Sequence, residues 1–339
     1  VAAAAENAEV EIYHGREEIP ADFTSVVTLG NFDGVHLGHQ RLLGHTVQAA
    51  RRARARAVAL TFDPHPLHVH RPELALPLIT SLPDRLEAIA ATGIDATVVV
   101  DYTLRFAAQT PREFVTHWLV ECLGMQRIVV GEDVRFGAEN AGCLSDLEAL
   151  GGELGFAVDV LPDVGGPSGR RWSSTWVREL LAAGDVAGAG QILGRAHRVR
   201  GTVIQGATRG RTLGFPTANL DADTAGVVPP DGVYAGWLVR ADTHAVPERL
   251  PAAISIGTNP TFDDVARTVE AHVLGRADLN LYGQEVVVEL THRLRPMLSF
   301  ADVGELLAQM RTDVEQTAAL LGVPVPDPID PAAVTAQPA

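Results

Sequence analysis

The chain has 339 residues, 46% of them hydrophobic, with 32 glycines and a formal net charge of −15. That length is long for one core and predicts two domains. The acidic balance disfavours a large polyanionic partner, so nucleic acid is not expected, and no apolar run approaches the about 18 residues that a membrane span needs.

Val1–Ala5 lacks the length and the basic flank of a signal peptide. Cys122 and Cys143 read as free thiols, with a disulfide as the alternative. The expected compartment is therefore the reducing cytoplasm. Oligomeric state stays open, a homo-oligomer included.

Residues 11–13 are a short edge-strand candidate. Residues 25–29 form an apolar run that reads as a buried strand. It leads into Gly30-Asn31-Phe32-Asp33-Gly34-Val35-His36-Leu37-Gly38-His39-Gln40, and helical period follows from Gln40 to about Ala55. Three glycines let the backbone approach a bulky anion, and the helix start offers free N–H groups and a positive dipole end. His36 and His39 add donors for phosphate oxygens. The His-x-Gly-His spacing resembles the nucleotide-binding signature of nucleotidylyltransferases and class I tRNA synthetases, which attack the α-phosphorus of ATP and expel pyrophosphate. The bland alternative is a glycine-rich turn with surface histidines.

Residues 57–62 are a second strong strand, stopped by Asp63-Pro64-His65-Pro66, whose prolines stiffen a loop. His65, His68 and His70 lie close together, but no cysteine or carboxylate cluster completes a tetrahedral metal set. His65 reads as a substrate-loop or internally satisfied residue, and His68 and His70 as sharing a face of an extended loop. Helices are expected over 84–92, from the cap Thr110-Pro111-Arg112-Glu113 to Leu123, and over 144–154. Strands are expected at 96–100, 127–131 and 157–161. This β–α alternation predicts a parallel sheet with helices on both faces and ligands beyond the strand C-termini. The opening motif, residues 61–66 and residues 131–137 all fall there. Further on, Ser174 and Thr175 can cap a helix, with Arg178 one turn along. They form either a phosphate grip or a plain N-cap with an exposed arginine.

Gly184 to Gly190 is rich in glycine and alanine and marks a boundary, with a short helix reaching Leu193. The pattern then changes. Strands are expected at 198–204, 232–240, 252–256, 268–274 and 286–294, several of them alternating and none separated by long helices, which predicts a small antiparallel barrel. A helix follows over 302–321, and residues 324–339 read as a flexible tail rich in proline and alanine. The loop from Gly206 to Gly214, with Arg209, Gly210 and Arg211, can wrap phosphates, although it is not a Walker loop. Thr217 and Asn219 lie two apart, so an extended backbone puts both oxygens on one face, a pairing that suits magnesium with ATP phosphates. Glu270 sits mid-strand and is either a base for a hydroxyl proton or a carboxylate on a solvated face.

In this order, the motifs from Ile12 to Val314 resemble the bifunctional prokaryotic riboflavin kinase/FMN adenylyltransferase (FAD synthetase) family, above all in Gly214-Phe215-Pro216-Thr217-Ala218-Asn219. The resemblance implies a Rossmann-like adenylyltransferase domain over 1–184, a linker over 185–195, a six-stranded β-barrel kinase with a C-terminal helix over 196–323, and a tail over 324–339. It implies that riboflavin, FMN, ATP and FAD are the partners, that Mg2+ accompanies ATP, and that there is no tightly bound prosthetic group. Carried over by position, it implies that Gly30, Asn31, Phe32, Asp33, His36 and His39 line the first ATP site, with Ser174, Thr175 and Arg178 at the triphosphate. Phe62, Pro64, His65, Pro66, Asp133 and Phe136 would border FMN. In the kinase, Gly206, Arg209, Gly210, Arg211, Gly214, Pro216, Thr217 and Asn219 would hold magnesium-ATP. Arg295, Met297 and Phe300 would contain the flavin, and Glu270 would be the catalytic base. The chain departs from the family pattern at Ser299 and at Gly275-Arg276-Ala277-Asp278, both near the implied kinase flavin pocket. Two rivals are a nucleotidylyltransferase for another phosphate ester and a flavin-storage protein without turnover.

Overall fold

The computed structural model describes residues 10–74, 76–163, 165–166, 169–206, 209–221, 223–240, 247–258, 267–331 and 334. The chain divides into two compact units. One contains residues up to Pro77 together with Leu82–Ser173, and the other contains Leu78–Ser81 and everything from Ser174 onward.

In the first unit the strands are β1 (Glu11–His14), β2 (Ser25–Leu29), β3 (Arg56–Asp63), β4 (Ala96–Asp101), β5 (Met125–Gly131) and β6 (Ala157–Leu161). They form one sheet in the order β1-β4-β3-β2-β5-β6, and every pair is parallel. The helices are α1 (Leu37–Ala53), α2 (Pro66–His70), α3 (Leu82–Ala90), α4 (Leu104–Ala107), α5 (Pro111–Phe114) and α6 (Leu144–Leu154). The near-continuous apolar strands follow from burial on both faces. Val27, Val58, Leu60, Val98 and Ile128 pack into one core with Phe114 and Leu119. Their neighbours Val26, Ala57, Ala59 and Val129 pack into a second core with Leu43 and Ile89.

Three local features differ from expectation. The motif helix opens at Leu37, not Gln40, because His36 caps it. Residues 66–70 are helical and not extended, with His65 as N-cap, so His68 and His70 do not share a face. His68 Nε2 meets the Leu76 carbonyl at 2.7 Å and His70 Nε2 meets the Tyr102 hydroxyl at 3.0 Å. After the capping box of Thr110 and Glu113, residues Val115–Cys122 wind as a π-helix.

In the second unit, α7 (Ser174–Ala182) and α8 (Val186–Leu193) precede β7 (His197–Ile204), α9 (Arg209–Thr212), β8 (Ala218–Leu220), β9 (Gly232–Arg240), β10 (Glu248–Thr258), β11 (Arg267–Val273), β12 (Glu285–Arg295) and α10 (Val303–Leu321). The six strands close a barrel in the order β10-β11-β8-β7-β12-β9. All pairs are antiparallel. The sequence reading lacked β8, whose three residues are too few to show a period. Asp302 caps α10 by accepting the Glu305 N–H.

Candidate functional sites

The first site is built at the C-terminal end of β2, where the strand order turns back on itself with β3 on one side and β5 on the other. Open parallel sheets bind ligands at such switch points. The chain leaves β2 through a tight turn in which the Val35 N–H donates to the Phe32 carbonyl at 3.0 Å. Phe32 (φ 48°) and Val35 (φ 42°) take left-handed conformations that bulky residues rarely adopt. Both side chains are fully buried, and that packing holds the turn.

The turn delivers His36 to the start of α1. Its Nδ1 accepts the His39 N–H at 3.3 Å. A Cβ on residue 38 would lie 3.0 Å from the His36 ring, so glycine makes room for that ring. The two imidazoles stack with centroids 3.7 Å apart. Because Nδ1 of His36 accepts, its proton sits on Nε2 and is free to be donated. Burial, helped by the charge of Arg171, holds the His36 pKa at about 4. Burial, then His36 and Arg171, pushes His39 well below its ordinary value. At neutral pH the pair therefore offers uncharged donors, not cations. His39 Nδ1 is buried without a hydrogen-bond partner.

Two arginines that the sequence reading passed over complete the surroundings. Arg171 lies close enough to influence both histidines, and its guanidinium pairs with Asp133 and Asp163 at 2.7 Å each. Its signal was the basic doublet just before Trp172. Arg85 is 2% exposed and donates to the Asn31 carbonyl at 3.0 Å and to Asp63 Oδ1 at 3.4 Å. Burial lowers its pKa, opposed by Asp63 and Asp33. Its position four residues before the buried Ile89 was the available signal.

Of the residues expected to border a flavin, Phe62, next to last in β3, joins an aromatic cluster with Tyr102 and Phe106, at 5.4 and 5.9 Å. The Asp63–Pro64 peptide is cis. Pro66 opens α2, and His65 accepts the Leu67 N–H at 3.1 Å. Asp133 is held by Arg171, and Phe136 is 5% exposed against Phe114. Gly30 and Asp33 belong to the motif turn, and Asp33 is buried. Ser174 and Thr175 begin α7 in the second unit, with Arg178 one turn along.

The second site lies on the barrel. Asn219 in β8 stands opposite Glu270 in β11, so their side chains share a face. Asn219 Nδ2 donates to Thr217 Oγ1 at 3.2 Å. Glu270 is half-buried, and burial raises its pKa. His272, two residues along and unremarked in the sequence, shares that face. Its Nδ1 meets the Pro216 carbonyl at 2.9 Å and its ring packs on Phe215 at 5.2 Å, fixing the Gly-Phe-Pro-Thr loop. Burial lowers its pKa, so it serves that loop uncharged. Gly206 abuts the Asn219 amide, and Arg209, Gly210 and Arg211 lie on α9, which Gly214 follows. At Thr217 the cluster meets a pocket whose walls include Val203, Pro216, Val273, Arg276, Leu281 and Tyr282.

Arg295 is bound to Asp313 through two nitrogens, Nε at 2.9 Å and Nη2 at 2.7 Å, with its guanidinium 6.0 Å from the Phe300 ring. Met297 is 48% exposed, and its sulfur lies 4.0 Å from the Ser255 hydroxyl.

Comparisons with known proteins follow this division. The model of the FAD synthetase family matches residues 19–176, and that of the riboflavin kinase family matches residues 193–321. The bifunctional riboflavin kinase/FMN adenylyltransferase of Listeria monocytogenes is 36% identical over 301 residues, 88% of this chain and 93% of that one. The protein of the same name from Escherichia coli K12 is 36% identical over 288 residues, 85% and 90% of the two chains. A Streptococcus pneumoniae crystal structure described as a macrolide-efflux protein superposes with a TM-score of 0.81 at 30% identity, over 91% of this chain and 99% of that one. Among the described residues here, no helix is long and apolar enough to cross a membrane.

Proposed function

The chain belongs to the bifunctional riboflavin kinase/FMN adenylyltransferase family, and from that premise we propose how its residues divide the two reactions. The C-terminal module phosphorylates riboflavin to FMN with ATP, and the N-terminal module adenylylates FMN to FAD and releases pyrophosphate. What supports the division is that each half carries its own phosphate-type site, the stacked His36–His39 pair in one and the Thr217–Asn219–Glu270 cluster in the other.

In the kinase, the pocket beside Thr217 takes the base of ATP, which leaves its phosphates at Thr217 and Asn219. Two neutral oxygens beside one carboxylate suit magnesium, which usually keeps phosphate and water among its ligands. Thr217 and Asn219, side by side and opposite Glu270, are the residues that would hold it. Magnesium there would neutralise phosphate charge. Glu270 takes the proton of the riboflavin 5′-hydroxyl as that oxygen attacks the γ-phosphorus, the bond from that phosphorus to the β–γ bridging oxygen breaks and ADP leaves. Its raised pKa makes it the stronger base. Met297 and Phe300 contain the flavin, and Arg295, tied to Asp313, holds that segment.

In the adenylyltransferase, the attacking FMN phosphate needs no base, since its second pKa of about 6 leaves it ionised at neutral pH. His36 Nε2–H and His39 donate to the phosphates of ATP, beside Arg171 in its pairs with Asp133 and Asp163. Asn31 and Asp33 line the nucleotide side. Phe62, Pro64, His65, Pro66, Asp133 and Phe136 border the flavin. Positioning and charge stabilisation carry this step.

The test is chromatography of flavins after incubation with riboflavin, ATP and magnesium. FMN followed by FAD is expected. His36→Ala or His39→Ala should stop at FMN, and Glu270→Ala should make FAD only from supplied FMN. Loss of both activities in either type of variant would refute the two-site assignment.

A further inference from the structure

The family match ends at residue 321, yet the chain beyond α10 returns to the kinase pocket. Val334 lines it together with Pro216, Thr217, Arg276 and Ala277. On the way, the segment crosses both loops that supply those residues. A Cβ on Gly275 would lie 2.7 Å from Pro326 Cβ, just before Arg276 and Ala277. A Cβ on Gly214 would lie 2.7 Å from the Ile329 carbonyl oxygen and 3.5 Å from Pro331, just before Pro216 and Thr217. Both glycines have positive φ, 69° and 82°, so each position is constrained twice, by its own backbone and by the segment on top of it. Pro324, Pro326, Pro328 and Pro331 fix φ along the segment. Such a chain has little backbone freedom to lose when it docks.

We propose that residues 324–331 and Val334 form a strap belonging to the kinase nucleotide site. The strap pins the Gly214 and Gly275 loops to each other's side of the pocket and finishes its wall with an apolar side chain, so that the base of ATP meets a preformed slot. This inference rests on the reading of that pocket as the nucleotide site of the kinase. It makes the proline-rich end a substrate-binding element, where the sequence reading had a flexible tail.

The test compares the full chain with a chain ending at Val323, in both reactions. For FMN formation, the KM for ATP should rise about tenfold in the shortened chain, equivalent to about 1.4 kcal/mol. The KM for ATP in FAD formation should not move. An unchanged KM in FMN formation overturns the proposal. So does a lowered one, because the segment would then be an obstruction. Gly275→Asn supplies a second arm, since asparagine tolerates left-handed backbone but would collide with Pro326. It should raise the KM for ATP in the full chain and add little in the shortened one, whereas equal effects in both backgrounds overturn the contact. Should the full chain form no FMN at all, the kinase reading falls. The strap is then judged by thermal melting of the same four proteins, where non-additivity supports it and additivity overturns it.

Discussion

Replacing His36 by asparagine separates its role as a cap from its titration. Asparagine keeps an oxygen that can accept the His39 N–H at the start of α1, but it carries no proton. In the folded chain His36 binds a proton only below about pH 4, whereas an unperturbed imidazole does so near 6.5. Above 6.5 neither state is protonated, and the contribution of the neutral buried ring is fully present. As pH falls from 6.5 towards 4, only the unfolded state gains the proton, so stability is lost across that window. At about 1.4 kcal/mol for each pH unit, the gap amounts to about 3 kcal/mol. The protection of the β2 and β3 amides against hydrogen exchange, corrected for intrinsic rates, reads the first unit alone. Between pH 7 and pH 4 the parent should lose about 3 kcal/mol more than His36→Asn. Parallel losses in the two proteins, or a His36 ring that titrates near 6.5 by NMR, would refute the argument. The same neutrality predicts no inflection in FAD formation between pH 6 and 8 from protonation of His36.

Glu270→Gln should cut FMN formation by about 10² to 10⁴ while leaving FAD formation from supplied FMN intact. In the parent, the kinase rate should fall with pH through a midpoint above the ordinary 4.5 of a glutamate, and a midpoint below it would contradict the burial of Glu270. Arg85→Met removes the donors to the Asn31 carbonyl and Asp63 but also relieves a buried charge. The net loss should be about 1–3 kcal/mol by urea unfolding, accompanied by slower FAD formation and unchanged FMN formation. Arg295→Met strands Asp313, which is 5% exposed and, among the described residues, keeps Gln309 as a neutral side-chain partner. It should cost about 3–5 kcal/mol by thermal melting, and an unaltered Tm would show that the pair is not needed.

The chemistry was most legible where backbone demands and side-chain types coincide. The Gly30–His39 run, Thr217 with Asn219, and Glu270 stand out because glycine turns, capping groups and period-two spacing leave local marks. Arg85 and Arg171 left fainter ones, since their partners lie far along the chain. Arg85 meets Asn31, and Arg171 meets Asp133. The parallel sheet followed from its β–α alternation, and the six-stranded barrel implied by the resemblance is the one found, although the strand pattern alone showed five strands because β8 is only three residues long. The helix α2 was hidden by prolines that read as breakers, although a proline at the first helical position is favourable. The segment after Val323 looked loose by composition, and only its packing on Gly214 and Gly275 gives it a place.

The closure of the barrel also sets an order of events during synthesis. The parallel sheet has all its strands once Leu161 has been made. In contrast, β7 pairs along one edge with the short β8 but finds the partner for its other edge in β12, with Thr202 opposite Glu285 and His197 opposite Leu290. Until β12 leaves the ribosome the barrel has an open seam, and long-range pairings of this kind form late and slowly. A ribosome stalled between Ile204 and Glu285 would carry a complete sheet and a β7 whose β12-facing edge is unpaired, a surface suited to pairing with a neighbouring nascent chain.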